Sequence, residues 1–167
     1  KIVDAVADGS GTVNLGSTII NPVIPDLLIN NIEYQHRPDA KLLPPNNLAI
    51  EKDLRVVRSE LVRRYTVANK LNPTTVDPPD AWIGLIASGF TYHELRHALS
   101  AIGLRTLDDI KKVGIRLLHL QLPIPFDPEN IRNFARGLEE ILVIEEKNPT
   151  AEWLVKDALY GNANQPR

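Results

Sequence analysis

A short apolar run near the C-terminal end of the chain constrains the fold more than any other feature. Residues 141–144 are apolar at every position, whereas a strand with one solvated face alternates. The run predicts a strand buried on both faces. A turn with Thr150 as N-cap follows, and Gly161 stands where a helix ends. Between them one stripe predicts an amphipathic helix, namely Ala151, Leu154, Val155, Ala158 and Leu159. A parallel sheet covered by helices is therefore expected.

The same alternation of strand and helix occurs three times within residues 80–162, which predicts right-handed crossovers and a parallel core. The predicted elements are strand 82–88, helix 91–102, strand 113–120, a helix with Asp127 as N-cap, strand 141–144 and a final helix. Buried stripes are predicted for the first helix (Leu95, Ala98, Leu99, Ile102) and the second (Ile131, Phe134, Ala135, Leu138). The expected fold class is α/β, with three α/β/α layers and a mostly parallel sheet.

The residues before this α/β unit have a different character. Residues 1–49 are punctuated by glycine and proline, which disfavours central strands and predicts an extended strap. Residues 50–71 predict one long helix with an apolar stripe formed by Leu54, Val57, Leu61, Tyr65 and Ala68. Residues 72–80 are rich in proline and predict a stiff hinge. We expect three parts: a strap (1–49), a linker helix with its hinge (50–79) and an α/β domain (80–162).

Composition excludes several classes of protein. No apolar run approaches the ~18 residues of a membrane span, and no secretory signal opens the chain, so a cytoplasmic globular protein is expected. A net charge of −2 does not indicate the basic surface that nucleic-acid-binding proteins use. With no cysteine, the chain has neither a thiolate nucleophile nor cluster ligands. It also lacks methionine, even at residue 1, which indicates a piece of a longer polypeptide.

The segment His93-Glu94-Leu95-Arg96-His97 matches the H-E-x-x-H pattern of zinc peptidases, in which two imidazoles bind zinc and the glutamate is the general base. Three observations oppose a zinc peptidase. Thr91 and Glu94 have the spacing of a capping box. Helical periodicity places both histidines opposite the buried stripe, and no third ligand follows. We expect an exposed pair, with His93 and His97 as the metal-binding candidates of this chain.

The ends of the predicted strands carry the other candidates. Glu145 and Glu146 follow strand 141–144, and Ser88 and Gly89 follow strand 82–88. Open α/β sheets bind ligands at the carboxyl ends of their strands, and the helix after Gly89 offers amides to an anion. These four residues are therefore a candidate edge for ligand binding or interdomain contact, and a strand-end Glu-Glu-Lys is more often a solvated or interdomain contact. His119 is expected to be packed or paired within its strand. No catalytic set can be assembled from the remaining residues.

Three stretches resemble a known family. IGLIASGFTYHELRHAL, GIRLLHLQLPIPFDPENIRNFARGLEEILVIEEK and VKDALYG are similar to the central domain of indolepyruvate ferredoxin oxidoreductases. That domain is itself similar to the transketolase C-terminal domain. Both have a strand ending in Ala-Ser/Thr-Gly before a helix, a turn with Pro and Phe-Asp, and a strand ending in Glu-Glu. The resemblance covers about residues 80–161.

The resemblance implies a parent enzyme that oxidatively decarboxylates aryl 2-oxoacids such as indolepyruvate. It implies thiamine diphosphate, magnesium, 4Fe-4S clusters and coenzyme A, with ferredoxin as electron acceptor and a homo-oligomeric assembly. This chain has no cluster cysteines, and residues 8–10 with Asn30 and Asn31 match the thiamine-diphosphate motif poorly. We therefore expect a non-catalytic domain for structure and subunit contact, without catalytic or cofactor-binding residues. The alternatives are a regulatory module that binds a nucleotide or coenzyme A, and a zinc peptidase.

Overall fold

The computed structural model describes residues 9–14, 16, 17 and 19–167, so the first eight residues of the predicted strap lie outside it. Most of the described strap has no regular structure, as its prolines predict. A short hairpin interrupts it, formed by β1 (Leu28–Ile29) and β2 (Ile32–Glu33). Asn30 and Asn31 make the turn with φ of 52° and 63°, a left-handed conformation that asparagine tolerates better than most residues.

A continuous helical stretch links the strap to the sheet. It consists of α1 (Asn46–Lys52), a π-helical segment (Asp53–Arg58) and α2 (Ser59–Ala68). The predicted long helix is confirmed, although it begins four residues earlier than residue 50. Its apolar stripe is not a buried face, because Leu54 and Ala68 are exposed and the other members are half-buried. The buried residue of α2 is Thr66, whose hydroxyl donates to the carbonyl of Val62 at 2.9 Å.

Four strands form the main sheet, namely β3 (Thr74–Val76), β4 (Ile83–Ser88), β5 (Ile115–Leu120) and β6 (Glu140–Ile144). They lie in the order β3-β5-β4-β6. The three predicted strands form two parallel pairings, since β4 pairs in parallel with both β5 and β6. The additional strand β3 is antiparallel to β5. This mostly parallel sheet confirms the predicted fold class. The helices of this unit are α3 (Gly89–Ala101), α4 (Leu107–Lys112), α5 (Pro128–Ala135) and α6 (Thr150–Leu159).

Helices cover both faces of the sheet, and each face has its own core. Alternate residues of β4 point to opposite sides, so Leu85 packs towards α3 and α4 while Ile86 packs towards α5 and α6. The first core contains Val76, Leu85, Ala87, Tyr92, Leu99, Ile110 and Leu117. The second contains Ile86, Leu118, Ile131, Phe134, Leu138, Val155 and Leu159, among others. The inward residues predicted for α5 are all present in this second core.

Two predictions about the sheet are wrong. The run 141–144 is not buried on both faces, because the side chain of Leu142 remains 55% exposed. The strand also lies at the end of the strand order, with β4 as its neighbouring strand. The predicted hinge 72–80 also contains β3. Its prolines flank Thr74–Val76 without falling inside it, so these three residues remain free to pair at the sheet edge.

Helix ends differ from prediction in detail. α3 begins at Gly89 rather than Thr91, so the Thr91–Glu94 capping box does not form. Its buried residues are Tyr92 and Leu99, whereas Ala98 is exposed and Ile102 is 76% exposed just past the helix end. Thr150 is the first helical residue of α6 rather than its cap. The helix-ending glycine is confirmed, since Gly161 has φ of 79°. Among the residues described, no helix is long and apolar enough to cross a bilayer.

Candidate functional site

The carboxyl ends of β4 and β6 bring the predicted edge residues together. The two strands are parallel neighbours, with Ala87 opposite Ile144, so the residues that follow each strand leave the sheet side by side. Between them lies an open cavity of about 430 Å³. Its lining consists of Ser88, Gly89, Phe90, Thr91, Glu145, Glu146, Lys147, Asn148 and Thr150. All four candidate residues of this edge therefore face one cavity.

The first wall of the cavity is the start of α3. Gly89 has φ of +50°, a conformation that strains any residue with a Cβ, and it turns the chain directly from β4 into the helix. Ser88 occupies the N-cap position, but its side chain makes no capping hydrogen bond. The first-turn amides of α3 consequently lack a side-chain acceptor from Ser88, and the positive end of the helix faces the cavity.

The second wall is the loop between β6 and α6, and Glu145 organises it. One carboxylate oxygen of Glu145 accepts the N–H of Ala151 at 2.8 Å, and the other accepts the N–H of Glu152 at 3.0 Å. Glu145 therefore caps α6, the role that the sequence pattern assigned to Thr150. Glu146, in contrast, is exposed. Of the two strand-end acids, one stabilises the fold and the other faces solvent.

The charges of this edge limit what it can bind. An anion drawn to the start of α3 would meet two carboxylates, with Lys147 as the single cation in the lining. No arginine lines the cavity, although arginine is the residue best suited to bidentate phosphate contacts. This distribution of charge disfavours the binding of a phosphate at this edge.

A group of rings lies beside this edge, at the end of β5. The half-buried ring of His119 stacks on Tyr92, with centroids 4.1 Å apart and planes 8° apart. His119 Nε2 lies 3.2 Å from the carbonyl oxygen of Gly89, and the Tyr92 hydroxyl lies 2.5 Å from Thr75 Oγ1. His119 is thus both packed and paired, as expected from its place in a strand. Periodicity alone could not reveal Tyr92 and Thr75, because they come from separate elements.

Burial lowers the pKa of His119. The hydrogen bond to the carbonyl of Gly89 opposes this shift, and the nearby ring of His93 adds a smaller lowering. The rings of His93 and His119 meet edge to face, with centroids 5.6 Å apart. The neutral form of His119 is therefore favoured in the folded protein.

The H-E-x-x-H segment lies on the outer side of α3. His93, Glu94 and His97 are all exposed, as the helical spacing predicted. Within the described part of the chain, no group of three or more His, Cys, Asp or Glu side chains is placed to hold a metal ion. The two histidines thus lack the third protein ligand that a catalytic zinc site contains.

Comparison with known families gives a match over more than half of the chain. The family model described as "Indolepyruvate oxidoreductase domain" matches residues 74–167. The match includes all four strands of the main sheet and the four helices that cover it. The match begins at the first residue of β3. This strand was not predicted, because the surrounding prolines indicated a hinge.

Curated relatives carry one name, "Indolepyruvate oxidoreductase subunit IorA". The protein from Archaeoglobus fulgidus is 25% identical over 163 residues, which covers 95% of this chain and 23% of the relative. The Pyrococcus horikoshii protein is 34% identical over 85 residues, covering 51% of this chain and 12% of the relative. The Pyrococcus abyssi protein is 35% identical over 79 residues, covering 47% and 11%. The chain therefore spans less than a quarter of the length of these relatives.

Proposed function

The chain belongs to the family of the indolepyruvate oxidoreductase domain, and we propose that it serves as a non-catalytic structural and subunit-contact domain of such an enzyme. In this proposal the parent enzyme oxidatively decarboxylates aryl 2-oxoacids to acyl-coenzyme A and reduces ferredoxin. It works in the cytoplasm as a homo-oligomer. The names of the relatives support the 2-oxoacid class, and other parts of the subunit carry the chemistry.

The residues of this chain do not fit the cofactors of the parent enzyme. Iron–sulfur clusters are held by cysteine thiolates, and the chain contains no cysteine. Asn30 and Asn31 form the tip of the β1–β2 hairpin, and Asp8, the other residue compared with the thiamine-diphosphate motif, lies outside the described residues. We therefore assign thiamine diphosphate, magnesium, the clusters and the coenzyme A site to other parts of the enzyme.

The capping role of Glu145 carries the proposal. Ligand sites in open α/β sheets lie at the carboxyl edge, and this edge is where the chain would place catalytic acids. Glu145 instead holds the first turn of α6 through both carboxylate oxygens. Glu146, Lys147 and Asn148 beside it are exposed, and exposed polar side chains of this kind favour contact with a neighbouring domain.

A second function rests on the start of α3. Its amides lack a cap from Ser88 and border the cavity of about 430 Å³, so a nucleotide or the phosphate end of coenzyme A is the alternative occupant. The two acids of the lining oppose this alternative. The two functions can be distinguished by whether a substitution at the edge changes the affinity of the enzyme for coenzyme A.

The discriminating experiment uses the full-length enzyme. Glu146→Gln and Ser88→Ala alter the edge, and Glu139→Gln at the opposite end of β6 is the matched control. If the domain is a contact domain, the KM values for coenzyme A and indolepyruvate should stay within about twofold of wild type in all three variants, because the proposal assigns the reacting atoms to other parts of the enzyme. A tenfold rise in the KM for coenzyme A, confined to the edge variants, would establish the regulatory module instead.

A complementary assay uses the chain alone. Supplied with thiamine diphosphate, magnesium, coenzyme A and an electron acceptor, it is expected to give no turnover of aryl pyruvates. Measurable decarboxylation that tracks with the purified chain would contradict the non-catalytic role.

A further inference from the structure

Two exposed histidines lie one helical turn apart on α3. His93 and His97 both fall inside the helix, and neither lines the cavity at the carboxyl edge. Residues four apart in an α-helix are neighbours on one face, with their Cβ atoms about 5–6 Å apart. This is the spacing at which two imidazoles of one helix bind the same metal ion.

The direction of helical side chains brings the two rings closer. A side chain on a helix leans towards the N-terminal end, so the imidazole of His97 leans over the turn that carries His93. His93 leans in the same way, and its ring lies beside Phe90 with centroids 6.4 Å apart. The space between the two imidazoles therefore faces solvent along the outer side of α3.

The ring of His93 is held by its neighbours. It meets the rings of Tyr92 and His119 edge to face, with centroids 5.8 Å and 5.6 Å away. Tyr92 is buried and stacks on His119, so these neighbours are anchored in the core. On binding a metal ion, His97 would lose most of the rotamer freedom of the pair, which keeps the entropic cost of binding low.

The ring nitrogens of the pair are available to a ligand. Among the described residues, the histidines that form hydrogen bonds or ion pairs are His36 and His119. A metal ion at His93 and His97 would therefore displace water rather than a protein partner. The next turn carries Ala101, which is exposed and too small to cover a hydrated ion.

The donor set selects the class of metal. Imidazole nitrogen suits Cu²⁺, Ni²⁺ and Zn²⁺, whereas Ca²⁺ and Mg²⁺ prefer oxygen ligands. Affinity for a given nitrogen site rises from Co²⁺ through Ni²⁺ to Cu²⁺ and falls again at Zn²⁺. The described residues place no group of three or more ligands together, so water must fill the remaining coordination positions.

We propose that His93 and His97 chelate one divalent transition-metal ion, bound most tightly when the ion is Cu²⁺, with water completing the coordination. The ion bridges two successive turns of α3 and so stabilises the helix. Unlike the site of a zinc peptidase, this chelate needs neither a third protein ligand nor Glu94 as a base. The inference stands on α3 alone and does not depend on the proposed function.

Calorimetric titration of the 167-residue chain without an affinity tag tests the proposal, with salts of Cu²⁺, Ni²⁺ and Zn²⁺ as the probes. One Cu²⁺ should bind per chain, more tightly than Ni²⁺ or Zn²⁺. His93→Gln and His97→Gln should each weaken Cu²⁺ binding about tenfold or more, because a second ligand on the same helix acts at high effective concentration. No stoichiometric binding, or equal affinity in His97→Gln, would overturn the chelate.

Two control variants separate the chelate from binding by isolated histidines. His36→Gln removes an exposed histidine outside α3 and should leave the affinity for Cu²⁺ within about twofold of wild type. His97→Gln combined with Ala101→His keeps four histidines and the same helix face. It separates the two imidazoles by about 12 Å along the axis and should bind as weakly as His97→Gln. Affinity like that of wild type in this double variant would contradict the proposal.

Thermal unfolding gives a second, independent readout. An ion that bridges the folded helix stabilises the native state, so saturating Cu²⁺ should raise the melting temperature of the wild type. The increase should be lost in His97→Gln. An unchanged melting temperature, or an equal rise in both proteins, would show that the ion does not join the two turns of α3.

Discussion

The Oε1 atom of Glu145 accepts the backbone N–H of Ala151 at 2.8 Å, joining the end of β6 to the start of α6. The second carboxylate oxygen accepts the N–H of Glu152, so one side chain satisfies two first-turn donors. The negative charge also lies at the positive end of the helix. A residue that the sequence placed at a candidate ligand-binding or interdomain edge is thus a helix cap in the structure.

Glu145→Gln is expected to lower the free energy of unfolding by about 1–2 kcal/mol, because the amide keeps one acceptor but loses the charge and the second hydrogen bond. Glu146→Gln is the matched control, since Glu146 is its exposed neighbour, and should change stability by less than about 0.5 kcal/mol. Urea unfolding of both variants checks the difference. Equal losses would show that Glu145 does not cap α6.

The stability of α2 is expected to fall at acid pH, because Glu60 becomes protonated. Hydrogen bonds from Arg63 and then Arg64 lower the pKa of Glu60 from its ordinary 4.5 to about 2. A carboxylate whose folded pKa is below its unfolded pKa stabilises the protein above the unfolded value. This contribution should therefore be present above pH 4.5 and be lost as the pH falls towards 2.

Glu60→Gln removes this contribution. Because the pair is partly exposed, the expected loss near pH 7 is only about 0.5–1 kcal/mol. The gap between wild type and variant should narrow as urea unfolding is repeated from pH 5 down to pH 2.5. Glu51→Gln, which breaks the exposed pair with Arg55, should cost less. A gap that stays constant across this range would count against the assigned role of Glu60.

His119 should make the domain less stable in mild acid. Burial lowers its pKa below the ordinary value of 6.5, so the unfolded chain binds this proton more readily than the folded one. The contribution of the neutral ring is present above about pH 6.5 and is lost as the pH falls. Unfolding curves of wild type and His119→Gln between pH 5 and 7.5 should converge towards the acid side. Parallel curves would refute the prediction.

Gly84 allows α5 to approach β4 closely. A Cβ added there would lie 2.6 Å from both Leu138 Cδ1 and Phe134 Cε1, closer than real Cβ contacts. Gly84→Ala is therefore expected to lower the free energy of unfolding by about 1–3 kcal/mol through overpacking. Gly11→Ala, where no atom lies within 4 Å, is the control and should be nearly neutral. A stable Gly84→Ala variant would mean that the second core can shift to accept the methyl group.

Local pattern sufficed for most elements of the α/β unit. The inward faces of α5 and α6 follow from helical periodicity, since a helix between sheet and solvent can bury only one stripe. The predicted starts of two helices were wrong, for different reasons. α3 begins where Gly89 can turn, and α6 is capped by Glu145 from five residues before its first residue.

The sequence by itself determined the three parallel strands and the helices that follow them, their α/β order and the absence of cysteine chemistry. These depend on residue type and on spacing within a single segment. Tertiary structure alone decided that β6 lies at the edge, that β3 joins the sheet and that His119 stacks on Tyr92. These outcomes depend on which strands become neighbours. An apolar run indicates that its side chains must be buried, but only the tertiary structure determines which elements cover them.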